Sequence, residues 1–177
     1  MSFQKTNIYL VGFMGVGKST LARKIAKKIN YQFIDTDVYI EKKFKTTVNN
    51  IISSLGIDAF RKIERDVLTE ITQMSNCIVA TGGGLPCFHN NMDVINANGF
   101  SIYLFYATDI IFYRLKNART ERPLIKEMND AELREFITAT LSEREVFYNR
   151  ADCIIKERNL KTEHVLKPIF EFIAQGK

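Results

Sequence analysis

The sequence GFMGVGKS, residues 12–19, decides the fold of this chain. It matches the pattern G-x-x-x-x-G-K-[ST], in which the backbone N–H groups of a glycine-rich turn surround a phosphate group. The apolar run Asn7–Val11 has the length of a strand and precedes this turn, and residues 21–29 have apolar side chains at helical spacing. The sequence therefore predicts a strand, a phosphate-binding loop and a helix, in that order.

The loop residues predict which ligands bind there. Lys18 can reach the β- and γ-phosphate oxygens of a nucleotide, and the hydroxyl group of Ser19 can ligate Mg²⁺. The helix that follows adds its positive dipole end. The alternative, a purely structural glycine turn, is less favoured because the flanking strand and helix are both in place. We predict ATP and Mg²⁺ as ligands, with the nucleotide bound by Gly15, Val16, Gly17, Lys18, Ser19 and Thr20.

Length and composition fit a single domain spanning residues 1–177. No apolar run reaches membrane-spanning length, and residues 1–6 contain no apolar signal core, so we expect a cytoplasmic protein without a membrane partner. The net charge of +5 permits nucleic-acid binding, but the basic residues are scattered rather than clustered, and we expect no nucleic-acid partner. The three cysteines lack metal-binding spacing. We expect a monomer.

Strand-like and helical segments alternate along the chain, which predicts a parallel sheet of five strands with helices on both faces, a three-layer α/β/α architecture. Ligands of such sheets bind outside the carboxyl ends of the strands. After the first strand, the remaining strand-like runs are residues 31–34, 77–80, 100–105 and 151–155, and the helical patterns after the first helix are residues 38–74 (with breaks near 46–47 and 53–56), 89–97, 109–116, 130–149 and a last segment containing Pro168.

Two acidic residues follow the second predicted strand directly. Asp35 and Asp37 flank Thr36, and alternate residues of an extended segment share a face, so both carboxylates can point into one crevice. One can orient Mg²⁺, through its water, and the other can accept a hydroxyl proton from an acceptor molecule. The alternative is a turn in which Asp37 caps the following helix.

A run of three glycines, Gly82–Gly84, follows the third predicted strand. Glycines allow close approach of a ligand to the backbone, whose N–H groups then act as donors. The alternative is a flexible loop.

Two arginines in helical segments are candidates for binding an anion. Arg144 falls on an apolar stripe of its helix, where a guanidinium must either extend to solvent or face an anion. Arg61 lies three residues from Asp58 and from Glu64, so an exposed ion pair is the alternative for that residue.

A charged segment between two helices, which includes Arg119 and Arg122, can close over the nucleotide and bring an arginine to the transferring phosphate. The alternative is a solvated loop.

Taken together, these motifs resemble the shikimate kinase family, a small member of the nucleoside-monophosphate-kinase-like phosphate-loop (P-loop) group. The resemblance extends from Gly12 to about Tyr148. It is carried by motifs in the same order as in the family: GKST at residues 17–20, DTD at 35–37, Phe60-Arg61-x-x-Glu64, TGGG at 81–84, Arg122-Pro123-Leu124 and Arg144-x-x-x-Tyr148.

The resemblance implies phosphorylation of the 3-hydroxyl group of shikimate by ATP, a transferase step of aromatic amino-acid biosynthesis. It implies a helical substrate-binding region at about residues 37–64 and a lid at about 117–126. The roles it implies are Asp37 as the base and hydroxyl ligand; Arg61, Arg144, Gly83 and Gly84 as the carboxylate site; Lys18 and Arg122 as stabilisers of phosphoryl charge; Ser19 and Asp35 as the Mg²⁺ site; Arg119 on the adenine; and Glu64 as the acid that orients Arg61.

Two other functions fit part of the pattern. A gluconate-kinase-like sugar-acid kinase shares the phosphate loop and a hydroxy-acid substrate, although the glycine run and the aspartate pair favour shikimate. A nucleotide-dependent switch or RNA-binding protein is supported only by the basic net charge and is opposed by the carboxylates at the expected crevice.

Overall fold

The computed structural model describes residues 7–118 and 123–175. Its five strands form one parallel sheet in the order β2-β3-β1-β4-β5, with helices around it, as predicted. The central strand β1 pairs with β3 on one side and with β4 on the other. The strands are β1 (Asn7–Val11), β2 (Gln32–Asp35), β3 (Cys77–Ala80), β4 (Gly99–Leu104) and β5 (Cys153–Ile155).

The helices of the described residues fill the connections between these strands and cover the sheet. Two short 3₁₀ helices, Leu85–Cys87 and Pro123–Ile125, occur in addition. The α-helices are α1 (Lys18–Ile29), α2 (Thr36–Phe44), α3 (Val48–Leu55), α4 (Ile57–Thr72), α5 (Asn91–Asn98), α6 (Thr108–Lys116), α7 (Asp130–Tyr148) and α8 (Thr162–Ala174).

Alternate residues of β1 face two different hydrophobic clusters. Ile8 and Leu10 belong to a cluster that includes residues of α1, α6, α7 and α8. Tyr9 and Val11 belong to a second cluster, which includes residues of α2, α3, α4 and α5. A strand that is buried on both faces is typical of a parallel sheet covered by helices on both sides, so this pattern accounts for the three layers.

The segment after β2 forms three helices rather than one, with breaks where the sequence predicts them. The first break follows Lys45, which adopts a left-handed φ of +53° and ends α2. Thr47 then caps α3 by accepting a hydrogen bond from the N–H of Asn50. Gly56, with φ +85°, separates α3 from α4. The three helices place α4 beside the carboxyl end of β3.

The predicted last helix is present, and it continues through Pro168. Proline removes one helical hydrogen bond and crowds the preceding turn. Burial of Val165 and Leu166 before it and of Ile169 after it keeps both halves of the helix packed on the first core cluster. Within the described residues, no helix is both long enough and apolar enough to span a membrane.

Candidate active site

The predicted phosphate-binding loop connects β1 to α1. Gly15 has φ +80°, and a Cβ there would lie 2.6 Å from Cδ2 of Leu115, so a side chain is excluded by both conformation and space. Gly17, with φ +94°, is the N-cap residue of α1. The loop therefore delivers Lys18 and Ser19 into the first turn of a helix, with the positive end of its dipole behind them.

Lys18 folds back over this loop. Its Nζ donates hydrogen bonds of 2.7 Å to the carbonyl oxygens of Gly12 and of Phe13, and only 8% of the residue is exposed. The ammonium group is thus held at the inner side of the turn. In that position it can stabilise negative charge on a phosphate group that the loop N–H groups bind.

A cavity of about 440 Å³ brings the loop together with the strand ends. Most of the predicted nucleotide residues, both predicted metal ligands and part of the predicted acceptor site therefore line one cavity at the carboxyl edge of the sheet. Its lining includes Gly15, Gly17, Lys18, Ser19 and Thr20 of the loop, Asp35 and Asp37 after β2, and Thr81, Gly82 and Gly83 after β3.

The two aspartates line this cavity, but the expected local conformation is wrong. Asp35 ends β2 and caps α2, because its Oδ1 accepts hydrogen bonds from the N–H groups of Asp37 (3.1 Å) and Val38 (3.2 Å). Asp37 is therefore in the first helical turn, and it is neither extended nor the capping residue. The buried Thr36 between them accepts a 2.8 Å hydrogen bond from the N–H of Gly82, which fastens the end of β2 to the glycine run.

The environment of Asp37 changes its acidity. Burial raises the pKa of its carboxyl group to about 6, and the negative charge of Asp35 acts in the same direction. The positive charges of Lys18 and Arg61 act to lower it. Asp37 thus lies within the electrostatic influence of the phosphate loop and of α4.

Two residues of the glycine run, Gly82 and Gly84, leave room for a neighbouring side chain. A Cβ at Gly82 would lie 2.6 Å from Oδ1 of Asp37, and a Cβ at Gly84 would lie 2.6 Å from Nη1 of Arg61. A Cβ at Gly83 would lie at an ordinary 3.6 Å from Nη1 of Arg144. The absence of side chains at Gly82 and Gly84 therefore allows one carboxylate and one guanidinium group to lie against the backbone, and the guanidinium of Arg144 lies close to Gly83 between them.

Arg61 does form an ion pair with Glu64, but the pair is buried rather than exposed. Nη1 of Arg61 lies 2.5 Å from Oε2 of Glu64, and the side chains are 13% and 2% exposed. Burial raises the pKa of Glu64, and the positive charges of Arg61 and Arg144 oppose that shift. Among the described residues, no acceptor meets the buried Nε of Arg61.

Arg144 lies between the contacts that α7 makes with the two cores. Leu141, one turn earlier, packs in the first cluster, and Tyr148, one turn later, packs in the second. The hydroxyl group of Tyr148 donates a 2.5 Å hydrogen bond to the carbonyl oxygen of Gly83. The predicted apolar stripe of α7 therefore packs against two different clusters instead of one. Arg144 lies where the helix passes from the first cluster to the second, and there it faces the glycine run.

Arg114 is a residue of this site that the sequence reasoning did not identify. Its Nη1 donates a 2.9 Å hydrogen bond to the carbonyl oxygen of Val16, and its guanidinium carbon lies 4.5 Å from the centroid of the Tyr106 ring. It lines both the cavity described above and a neighbouring one of about 620 Å³. The signal in the sequence was weak: a basic residue on the last turn of α6, near the charged segment. The second cavity is also lined by Val16, Lys24, Leu160, Lys161 and Thr162.

Two of the predicted site residues, Arg119 and Arg122, lie outside the described residues. Their predicted roles rest on the resemblance alone. The structure describes all the other predicted site residues. Glu64 contacts one of them, Arg61, and Thr36 contacts the glycine run at Gly82.

Comparisons with known proteins agree with this architecture. The family model of shikimate kinase matches residues 14–174. A shikimate kinase of Bacteroides thetaiotaomicron is 40% identical over 154 residues, which cover 87% of this chain and 88% of that protein.

Solved structures give the same result. A shikimate kinase structure from Bacteroides thetaiotaomicron has a TM-score of 0.89 at 36% identity and covers 96% of this chain and 98% of that one. The Acinetobacter baumannii enzyme in complex with shikimate has a TM-score of 0.82 at 31% identity, covering 99% and 97%. A gluconokinase from Sinorhizobium meliloti has a TM-score of 0.58 at 17% identity, a likeness of fold alone. With a family model that matches almost its whole length, this chain belongs to the shikimate kinase family.

Proposed function

We propose that this protein transfers the γ-phosphoryl group of ATP to the 3-hydroxyl group of shikimate. Family membership supports the reaction. One observation connects it to these residues: Asp37, Arg61 and Arg144 all lie against the glycine run, whose Gly82 and Gly83 line the same cavity as Asp37 and Lys18. Guanidinium groups bind a carboxylate through paired N–H donors, and a carboxylate side chain binds hydroxyl groups. Shikimate offers a carboxylate and neighbouring hydroxyl groups on one small ring.

On the acceptor side, Arg61 and Arg144 bind the substrate's carboxylate, together with the N–H groups of Gly83 and Gly84. The Nε of Arg61 supports this role, because it is a buried donor for which the described residues supply no acceptor. Asp37 binds the hydroxyl groups and accepts the proton of the attacking one. A pKa of about 6 suits this task, since the carboxylate is ionised at neutral pH yet more basic than an ordinary aspartate.

On the nucleotide side, residues 15–20 bind the phosphates and Lys18 stabilises the charge of the transferring group. The bond from the γ-phosphorus to the bridging oxygen of ATP breaks as the bond to the acceptor oxygen forms. Positioning and charge stabilisation supply most of the rate in such a transfer. We assign Arg114 to the binding of the adenine base, because it lines the second cavity together with Lys161. Arg122 on the phosphate and Arg119 on the adenine stay predictions from the family resemblance.

The residues present also fit Mg²⁺. Ser19 and Asp35 line the same cavity as Lys18. Mg²⁺ keeps several waters and uses one or two protein oxygens together with phosphate oxygens, so a donor set of this size suits it. Because Asp35 uses Oδ1 to cap α2, its other oxygen is the one available to a metal-bound water. Bound there, Mg²⁺ neutralises charge on the phosphate oxygens.

The proposal includes the wider organisation of the chain. It takes residues 1–177 as one domain, helices within residues 37–64 as the acceptor region and residues 117–126 as the lid. It also takes the enzyme to be a cytoplasmic monomer without nucleic-acid or membrane partners. Size-exclusion chromatography with light scattering checks the monomer directly.

An assay of ADP release tests the reaction. Purified protein with Mg²⁺ and ATP is given shikimate, gluconate or no acceptor, and the product is identified by phosphorus NMR. We expect ADP release that depends on shikimate and a phosphate ester at its 3-oxygen. Turnover of gluconate without turnover of shikimate would overturn the proposal, as would ADP release that no acceptor changes.

A further inference from the structure

We propose that Phe88 is a positioning residue for Arg61, whose ring fixes the plane of the guanidinium that receives the substrate's carboxylate. The inference rests on the proposed function for the identity of that substrate. The guanidinium carbon of Arg61 lies 4.3 Å from the centroid of the Phe88 ring and 5.6 Å from that of Phe60. At such distances the face of an aromatic ring attracts a cation.

Phe88 is not held there by the hydrophobic core. The residue is 41% exposed, which is unusual for a large apolar side chain beside a buried ion pair. It follows the 3₁₀ helix Leu85–Cys87 in an extended conformation. The next two residues, His89 and Asn90, both have left-handed φ values, +51° and +56°. Histidine and asparagine are among the residues that adopt this conformation most readily, so the two residues form a tight turn directly after Phe88.

The turn is fastened to the helix that carries Arg61. Nη1 of Arg65, one helical turn after Arg61, donates to the carbonyl oxygen of His89 (3.0 Å) and to Oδ1 of Asn91 (3.1 Å). The side chain of Asn91 in turn donates a 2.8 Å hydrogen bond to the carbonyl oxygen of Leu85. Helix α4 thus holds both the guanidinium and the loop that places a ring over it.

The other contacts of Arg61 do not fix the orientation of its guanidinium plane, and the ring of Phe88 does. Glu64 holds the Nη1 edge, and a Cβ at Gly84 would lie within 2.9 Å of three guanidinium atoms, so the guanidinium rests directly on the glycine backbone. The Phe88 ring, 4.3 Å from the guanidinium carbon, restricts rotation of the planar group about the Cδ–Nε bond. The edge that contains the buried Nε then stays available to a carboxylate. Without the ring, we expect weaker carboxylate binding and unchanged nucleotide binding.

The test compares Phe88→Leu with Phe88→Tyr, which retains the aromatic face. A matched control is Phe170→Leu, because Phe170 is 54% exposed and lies on α8, outside the acceptor region of residues 37–64. We expect Phe88→Leu to raise the KM for shikimate roughly 3- to 10-fold, with the KM for ATP and the Tm unchanged. Phe88→Tyr and Phe170→Leu should stay within about two-fold of the wild type in the KM for shikimate.

A double-mutant cycle shows whether Phe88 acts through Arg61. In an Arg61→Gln background, Phe88→Leu should change the KM for shikimate by less than about two-fold, because the cation on which the ring acts is gone. An equal change in both backgrounds, or an unchanged KM in Phe88→Leu alone, would overturn the assignment while leaving the proposed reaction intact. A wild-type protein that does not phosphorylate shikimate would overturn the proposed reaction and this inference together.

Discussion

The two sides of the cleft are built in opposite ways. The phosphate side is one continuous stretch, Gly12–Ser19, whose ligand-binding groups are mostly backbone N–H groups and one lysine that folds back on its own loop. The acceptor side is assembled from Asp37 on α2, Arg61 on α4, the glycine run after β3 and Arg144 on α7. It exists only when these separate elements pack together.

This difference has a physical consequence for function. In the proposed mechanism, the phosphate side acts on the group that is transferred, whichever acceptor is bound. The acceptor side depends on contacts between distant parts of the chain, such as the hydrogen bonds from Gly82 to Thr36 and from Tyr148 to Gly83. Substitutions on the two sides should therefore separate the rate of transfer from the binding of the acceptor.

The largest effect is expected on the phosphate side, for Lys18→Ala. Removing one positioned donor from a charged transition state costs roughly 100- to 1,000-fold in kcat. Steady-state kinetics measure this loss, and calorimetric titration measures the affinity for shikimate, which should stay within about three-fold of the wild type because Lys18 is not part of the carboxylate site. A normal kcat in Lys18→Ala would contradict the assignment of the phosphate side.

A pair of glycine variants tests the acceptor side. The backbone at Gly84, with φ −85°, suits alanine, but the added methyl group would lie 2.6 Å from Nη1 of Arg61. We expect Gly84→Ala to raise the KM for shikimate roughly 10- to 100-fold, because a carboxylate must then meet a displaced guanidinium. The measurement is the KM for each substrate.

Gly83→Ala is the matched control, because its methyl group would lie at 3.5 Å or more from its neighbours. We expect a change in the KM for shikimate several times smaller than in Gly84→Ala. Equal effects of the two variants would show that the glycine run matters only for its backbone conformation. The explanation that Gly84 leaves space for the guanidinium of Arg61 would then be wrong.

The smallest effect is a gain in stability. The folded protein holds the pKa of Asp37 at about 6, above the value of 3.8 that an ordinary aspartate has in an unfolded chain. Between these two values the folded state binds more protons, so this residue's contribution to stability falls as pH rises through that window. Asp37→Asn should remove the cost of the buried charge. It should therefore raise the free energy of unfolding at pH 8 by up to about 3 kcal/mol, several degrees in Tm.

At pH 4 that gain should vanish, because Asp37 is protonated in the folded wild type and carries no buried charge. Thermal unfolding of both proteins without ligands, at pH 8 and pH 4, gives the difference at each pH. If the variant is less stable than the wild type at both pH values, the contacts of Asp37 stabilise the folded protein. The proposed destabilisation by its buried charge would then be wrong.

The two sides also differ in how far the sequence alone predicted them. The phosphate loop was predictable because its conformation depends on residues within the motif itself: Gly15 and Gly17 adopt left-handed conformations that only glycine adopts readily. The strands were recognisable from their apolar runs. The burial of Glu64 with Arg61 was not predictable, because an i,i+3 spacing is the same for an exposed pair and for a buried one. That distinction depends on what packs over α4.

Three local features also required the folded chain. Asp35 rather than Asp37 caps α2 because the helix begins at Thr36, two residues before the predicted start at Val38. Arg114 joins the site through a carbonyl group 98 residues away in the sequence, a contact that no local pattern encodes. Helix α8 tolerates Pro168 because tertiary packing on both sides of it outweighs the lost hydrogen bond.

The most direct measurement is a crystal structure of the protein with ADP and shikimate. The account predicts that the shikimate carboxylate lies within hydrogen-bonding distance of both Arg61 and Arg144, and that the 3-hydroxyl group lies between Asp37 and the nucleotide phosphates. A carboxylate bound away from both guanidinium groups, or a hydroxyl group that points away from the phosphate loop, would contradict it.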